Sequence, residues 1–137
     1  MGRVKKQLWR LAVRSEFSAG HALRHYHGKC EALHGHNFSV EMVVEGSVLQ
    51  EGTALLVDFK MLKNRLNKVL EALDHSVLNE SAPFDVLNPS SENLARHIWQ
   101  SLAQAMEEPG VRLHSVTVGE KPGQSATYME MEAEEPL

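Results

Sequence analysis

The segment Cys30-Glu31-Ala32-Leu33-His34-Gly35-His36 places the chain's single cysteine four residues ahead of two histidines spaced i, i+2. On an extended strand that spacing sends both imidazoles to one face, a pleat apart. Two neutral imidazoles on one face are half of a divalent-metal site, and a thiol beside them is a candidate reactive group. A catalytic zinc usually takes three protein ligands and keeps a fourth position open. His21 is the best third donor, because it follows the small residues Ser18, Ala19 and Gly20, which would permit close approach. A lone histidine at a strand end is ordinarily structural, and it is the face shared with His34 and His36 that argues for ligation.

Cys30 admits two readings, a fourth ligand closing a structural site or a catalytic thiol held off the metal. Lys29 adjoins it in the polar loop Tyr26-His27-Gly28-Lys29, and a nearby cation and a metal both lower a thiol pKa, so the catalytic role is favoured. Asp74-His75 supplies an acid beside an imidazole, the pairing a general base uses. Neighbouring side chains tend to point apart, which turns Asp74 toward Cys30 rather than His75. Glu120 shares its parity with Val116 and Val118, so its carboxylate is expected to face inward and to need a paired donor. Glu92 follows Ser90-Ser91 where a helix begins, a position that by itself speaks only of the helix dipole. His97 and His114 read as structural or surface residues.

The elements that position these groups follow from periodicity. Trp9 to Phe17 alternates bulk at odd positions with charge at even ones, a half-buried strand whose parity continues to Ala19 and His21 if no bulge intervenes at Gly20. His34, His36, Phe38, Val40, Met42 and Val44 share one parity of a second strand, so both histidines fall on its covered face. Asp58 reads as an N-cap for a helix carrying Phe59, Leu62, Leu66, Val69, Leu70 and Leu73. Residues 74–89 read as a loop. A second helix begins near Ser90-Ser91, carries Leu94, Ile98, Leu102 and Met106, and is ended by Pro109-Gly110. Strands at 111–120 and 125–133 close the chain. The order β-β-α-α-β-β predicts an α+β layer, an antiparallel four-stranded sheet with two helices on one face. Its open edges favour an oligomer.

Composition narrows the classes further. The length of 137 residues fits one domain spanning 1–137. A net charge of -4 argues against a general binder of nucleic acid or anionic membrane. One cysteine excludes an internal disulfide. The basic stretch from Met1 to Lys6 is followed by no apolar signal core, and no apolar run approaches the roughly 20 residues of a membrane span, so the chain is expected to be cytoplasmic.

Taken together, Phe17-Ser18-Ala19-Gly20-His21, Cys30-x-x-x-His34-Gly35-His36-Asn37, Val57-Asp58-Phe59, Leu73-Asp74-His75, Leu78-Asn79, Ser90-Ser91-Glu92-Asn93 and Glu120 resemble the 6-pyruvoyl-tetrahydropterin synthase / 6-carboxytetrahydropterin synthase family. The resemblance runs from about residue 8 to residue 131. It implies a tunnelling fold whose subunits form trimeric barrels stacked into a hexamer, with active sites between subunits. It implies zinc held by His21, His34 and His36, a catalytic Cys30 thiolate, and Asp74 with His75 as its relay. Glu120 would anchor the pterin ring through its 2-amino group and N3–H. Ser90, Ser91 and Glu92 would line the pterin pocket from a neighbouring subunit. Arg24, His27, Lys29 and Lys121 are candidates for the triphosphate. The three residues between Cys30 and His34 resemble the bacterial carboxytetrahydropterin synthases, and a cysteine rather than a glutamate at position 30 argues against the folate-pathway variant. The implied reaction converts 7,8-dihydroneopterin triphosphate to 6-carboxytetrahydropterin, acetaldehyde and triphosphate, a step toward 7-deazapurines such as queuosine. The sister pyruvoyl activity, and a non-catalytic zinc- or pterin-binding protein, are the alternatives.

Overall fold

Alternation of apolar and polar side chains along most of their length gives two long strands, β1 (Trp9–His21) and β2 (His34–Gly46), that pair antiparallel throughout. Gly20 introduces no bulge: it pairs with Gly35, Ala19 with His36, and His21 with His34. The odd positions Val13, Phe17, Ala19 and His21 of β1 and the even positions Phe38, Val40, Met42 and Val44 of β2 are buried, as the alternation requires. The computed structural model describes residues 2–134, apart from the side chain of Cys30.

The first helix, α1 (Phe59–Glu71), starts at Asp58, whose carboxylate accepts the Lys60 N–H at 2.9 Å. Leu62, Leu66 and Leu70 form its buried stripe, whereas Phe59 lies at the first turn and is exposed. The second, α2 (Ser91–Ala105), is capped by Ser90, which accepts the Asn93 N–H at 3.1 Å. It buries Leu94, Ala95, Ile98, Trp99 and Leu102 and ends before Met106. Strand β4 (Val111–Lys121) pairs with β2, and β5 (Gln124–Tyr128) with β4, both antiparallel. The last strand is shorter than its sequence suggests, because pairing with β4 stops at Tyr128.

The expected loop after α1 contributes a fifth strand. Ser76–Val77, here β3, pairs parallel with Ala19 and Gly20, so the sheet order is β3-β1-β2-β4-β5. Two residues are too few to leave a periodic signal in sequence. Helix α1 packs on β1, α2 packs on β4 and β5, and the helices touch each other. Phe17 and Phe38 stack at 4.9 Å in the resulting core. Above that aromatic pair, at the end of the sheet where β1 stops and β2 starts, the core changes from hydrocarbon to imidazole. No helix among the described residues is long and apolar enough to cross a membrane.

Candidate metal centre and active site

The register that pairs His21 with His34 and Ala19 with His36 places three imidazoles on the helix-covered face of adjacent strands. Their ring centroids are 4.6 Å apart for His21 and His34, 5.3 Å for His21 and His36, and 4.8 Å for His34 and His36. Phe38 forms the floor, edge-on to His21 at 5.1 Å and to His36 at 5.6 Å.

Backbone carbonyls fix two of the rings. His21 Nδ1 is 2.7 Å from the Pro89 carbonyl and His34 Nδ1 is 2.7 Å from the Ala32 carbonyl. A carbonyl only accepts, so each Nδ1 carries a hydrogen, and in the neutral ring that leaves the lone pair on Nε2. This is the outer-shell arrangement that orients a metal-ligating histidine. One ligand atom from each of the three residues lies within 4.8 Å of the others. His21 is fully buried and its Nε2 has no hydrogen-bond partner. Burial pushes the His21 pKa down, against the opposing pulls of the Pro89 carbonyl and Glu120, and so favours the neutral form that a metal needs. A buried lone pair without a donor, converging with two others, fits a divalent cation of borderline softness such as zinc.

Glu120 reaches the same cluster from β4. Its Oε1 lies 3.5 Å from His21 Nε2 and its Oε2 lies 3.8 Å from His36 Nε2. The inward orientation expected from parity is therefore present, although the groups it faces are imidazoles of its own chain.

Asp74 and His75 meet each other, although adjacent side chains ordinarily point apart. His75 adopts φ +54, and its Nδ1 lies 2.9 Å from Asp74 Oδ2. That left-handed backbone, rare for a residue with a Cβ, turns two consecutive side chains together. It is held by the His75 N–H donating to the Ser18 carbonyl at 2.6 Å, while Asp74 Oδ1 accepts the Ser18 N–H at 2.8 Å. The Ser18 N–H, with His75 beside it, holds the Asp74 carboxyl below the usual range. His75 and His36 line one open concavity of about 420 Å³ with Ser18, Gly20, Asn37 and Ser76.

The remaining sites are distributed differently. The Cys30 side chain lies outside the described residues; its backbone sits in a short 3-10 turn, Lys29–Glu31, just before β2. Ser90, Ser91 and Glu92 form the start of α2, immediately after the Pro89 that anchors His21, and do not line the concavity beside His36. Arg24 is no longer a free phosphate ligand. Its guanidinium donates to the carbonyls of Phe84, Asp85 and Leu87 at 2.8, 3.3 and 3.1 Å. His27, Lys29 and Lys121 remain as polar candidates near this end of the sheet. His97 packs edge-on to Phe84 at 5.2 Å, and burial lowers its pKa.

Two asparagines are structurally important and were not assigned roles from sequence. Asn79 brackets Ala22, accepting its N–H at 2.8 Å and donating to its carbonyl at 2.9 Å. Asn88 does the same to Arg24, at 2.7 and 2.8 Å. Each amide stands in for a strand neighbour and fixes the chain leaving His21. Only Leu78-Asn79 carried any sequence signal, as part of a motif without a stated role.

Residues 10–131 match the sequence family described as 6-pyruvoyl tetrahydropterin synthase. The chain is 36% identical over 126 residues to the 6-carboxy-5,6,7,8-tetrahydropterin synthase of Synechocystis sp., covering 88% of this chain and 93% of that protein. It is also 36% identical over 112 residues to the dihydroneopterin monophosphate aldolase of Pyrococcus furiosus, covering 81% of this chain and 89% of that one. Among solved structures, the 6-pyruvoyl tetrahydropterin synthase of Caenorhabditis elegans superposes with a TM-score of 0.82 at 26% identity, covering 94% of this chain and 100% of that one.

Proposed function

Since the chain belongs to the 6-pyruvoyl tetrahydropterin synthase family, we propose that it is a cytoplasmic, zinc-dependent 6-carboxy-5,6,7,8-tetrahydropterin synthase. It converts 7,8-dihydroneopterin triphosphate to 6-carboxytetrahydropterin, acetaldehyde and triphosphate on the way to 7-deazapurines such as queuosine, and it works as a hexamer built from two trimers of the tunnelling fold. The observation that carries this reading is the convergence of His21, His34 and His36 with a buried, unpartnered Nε2 at its centre.

His21, His34 and His36 hold the zinc. When bound, zinc supplies Lewis acidity toward the oxygens of the substrate side chain. Cys30, as thiolate, moves a proton at that side chain. His75 is the second acid or base, and Asp74 fixes its tautomer and balances its charge through the 2.9 Å contact. Glu120 receives the parallel 2-amino and N3–H donors of the pterin ring, a match of two donors to two carboxylate oxygens. Ser90, Ser91 and Glu92 line the ring from a neighbouring subunit.

A second reading has a specific observation in its favour. The guanidinium of Arg24 is occupied by carbonyls, which leaves fewer cations for three phosphates. The activity named for the Pyrococcus furiosus relative, on a dihydroneopterin monophosphate, suits such a site. Offering the protein the two phosphorylated substrates separately distinguishes these readings. Replacing Cys30 with Ala is expected to abolish turnover while zinc content stays at the unmutated level. Zinc lost from that variant would make Cys30 a ligand and overturn its assigned role.

A further inference from the structure

We infer that Glu120 has two stations, serving as a fourth ligand to the divalent cation when no pterin is bound and withdrawing to the ring donors when one arrives. The inference rests on the proposed reading of the three histidines as a metal site and adds a residue and a movement to it.

The carboxylate is placed for the first station. Its two oxygens address two different nitrogens, Oε1 to His21 at 3.5 Å and Oε2 to His36 at 3.8 Å. Those separations are long for a hydrogen bond, which is normally about 2.7–3.2 Å from nitrogen to oxygen, and too short for an intervening water. They are close to what a shared ion produces. With metal–ligand bonds of about 2.0–2.2 Å, neighbouring donors on a tetrahedron stand about 3.3–3.6 Å apart. The side chain is 14% exposed, and among the described residues no lysine or arginine lies within 4 Å of it. A largely buried carboxylate needs a compensating charge. Imidazoles acting as metal ligands are neutral and supply none, whereas a dication does.

The chain also allows the movement. The β4–β5 register shifts between Val118 and Lys121, so Glu120 itself lies where pairing with β5 is interrupted. The carboxylate thus projects from a strand end beside a bulge rather than from the paired body of the sheet. A ligand exchanged at that point leaves the three histidines in place and opens the fourth position only when substrate occupies the pocket.

The test uses Co²⁺ as a spectroscopic probe, in competition with Zn²⁺, on the full chain. The unmutated protein is expected to bind both ions. Glu120→Gln is expected to weaken zinc binding by about tenfold or more and to change the visible Co²⁺ spectrum. Unsubstituted pterin, which has the ring donors but neither the hydroxylated side chain nor phosphates, should shift the Co²⁺ spectrum of the unmutated protein toward that of Glu120→Gln, and should leave the variant's spectrum where it was. Equal affinities and superimposable spectra in two equally folded proteins, checked by circular dichroism, would overturn the inference while leaving the histidine site standing. Absence of Co²⁺ and Zn²⁺ binding by the unmutated protein, or equal binding by His34→Ala, would overturn the metal reading itself.

Discussion

Removing divalent ions and titrating zinc back should raise the thermal midpoint, because only the folded chain brings the three imidazoles together. His21 is fully buried with an unpartnered Nε2, so the folded protein without metal carries an uncompensated lone pair at its core. An ion that binds the folded state alone contributes RT ln(1 + [L]/Kd), about 4.1 kcal/mol when free zinc is about 1,000 times Kd. Unfolding entropy near the midpoint is about 2.1 cal/mol/K per residue, or about 0.29 kcal/mol/K for this length, so the midpoint should rise by about 14 °C. His34→Ala removes one nitrogen from a half-buried position. A hundredfold loss of affinity at the same free zinc leaves about 1.4 kcal/mol, or a rise of about 5 °C. Scanning calorimetry in metal-free buffer, with and without zinc, measures both shifts. A midpoint that ignores zinc, or an equal rise in His34→Ala, would refute the assignment of these residues as ligands.

Replacing Asp74 with Asn keeps an acceptor for the Ser18 N–H but removes the charge facing His75. Turnover should fall by about 10²–10⁴-fold with zinc content and KM little changed, and a raised KM at full kcat would move the pair from proton transfer to binding. Glu45 is 3% exposed in its side chain and is clamped by Arg10 and Arg112, which hold its carboxyl below the usual range. The stability it contributes is present above the unfolded-state pKa and disappears as pH falls through the folded one. Glu45→Gln should therefore cost about 1–3 kcal/mol at neutral pH, a gap in urea midpoint that narrows below about pH 4. A gap that persists unchanged in acid would mean the charge is not its source. Ser90→Ala should cost about 1 kcal/mol through loss of the α2 cap, and Ser90→Asp should restore it, both read by urea denaturation.

The site was legible where local periodicity decides. The alternation along β1 and β2 determined which face each histidine occupies, and pairing at the predicted parity delivered His21 opposite His34. The helical stripes of α1 and α2 were equally plain, since leucines and isoleucine at helical spacing have only one face to bury. What escaped depends on contacts distant in sequence. The pairing of Asp74 with His75 needs a left-handed residue that is not glycine, and Ser18, far away in the chain, is what holds it there. The amide brackets from Asn79 and Asn88 are likewise fixed by partners some sixty residues away, at Ala22 and Arg24. Arg24 looked available for phosphate because its sequence neighbourhood is polar, and the carbonyls that occupy it come from the turn at 84–87. The reach of Glu120 to His21 follows from the order β1-β2-β4, a fact of topology that alternation alone does not contain.

The most direct test of the proposed activity is to incubate the zinc-loaded protein with 7,8-dihydroneopterin triphosphate and identify the products by mass spectrometry. The account predicts 6-carboxytetrahydropterin, acetaldehyde and released triphosphate. A pyruvoyl product would contradict the assigned cleavage, and substrate left intact by a protein with zinc bound would contradict catalysis at this site.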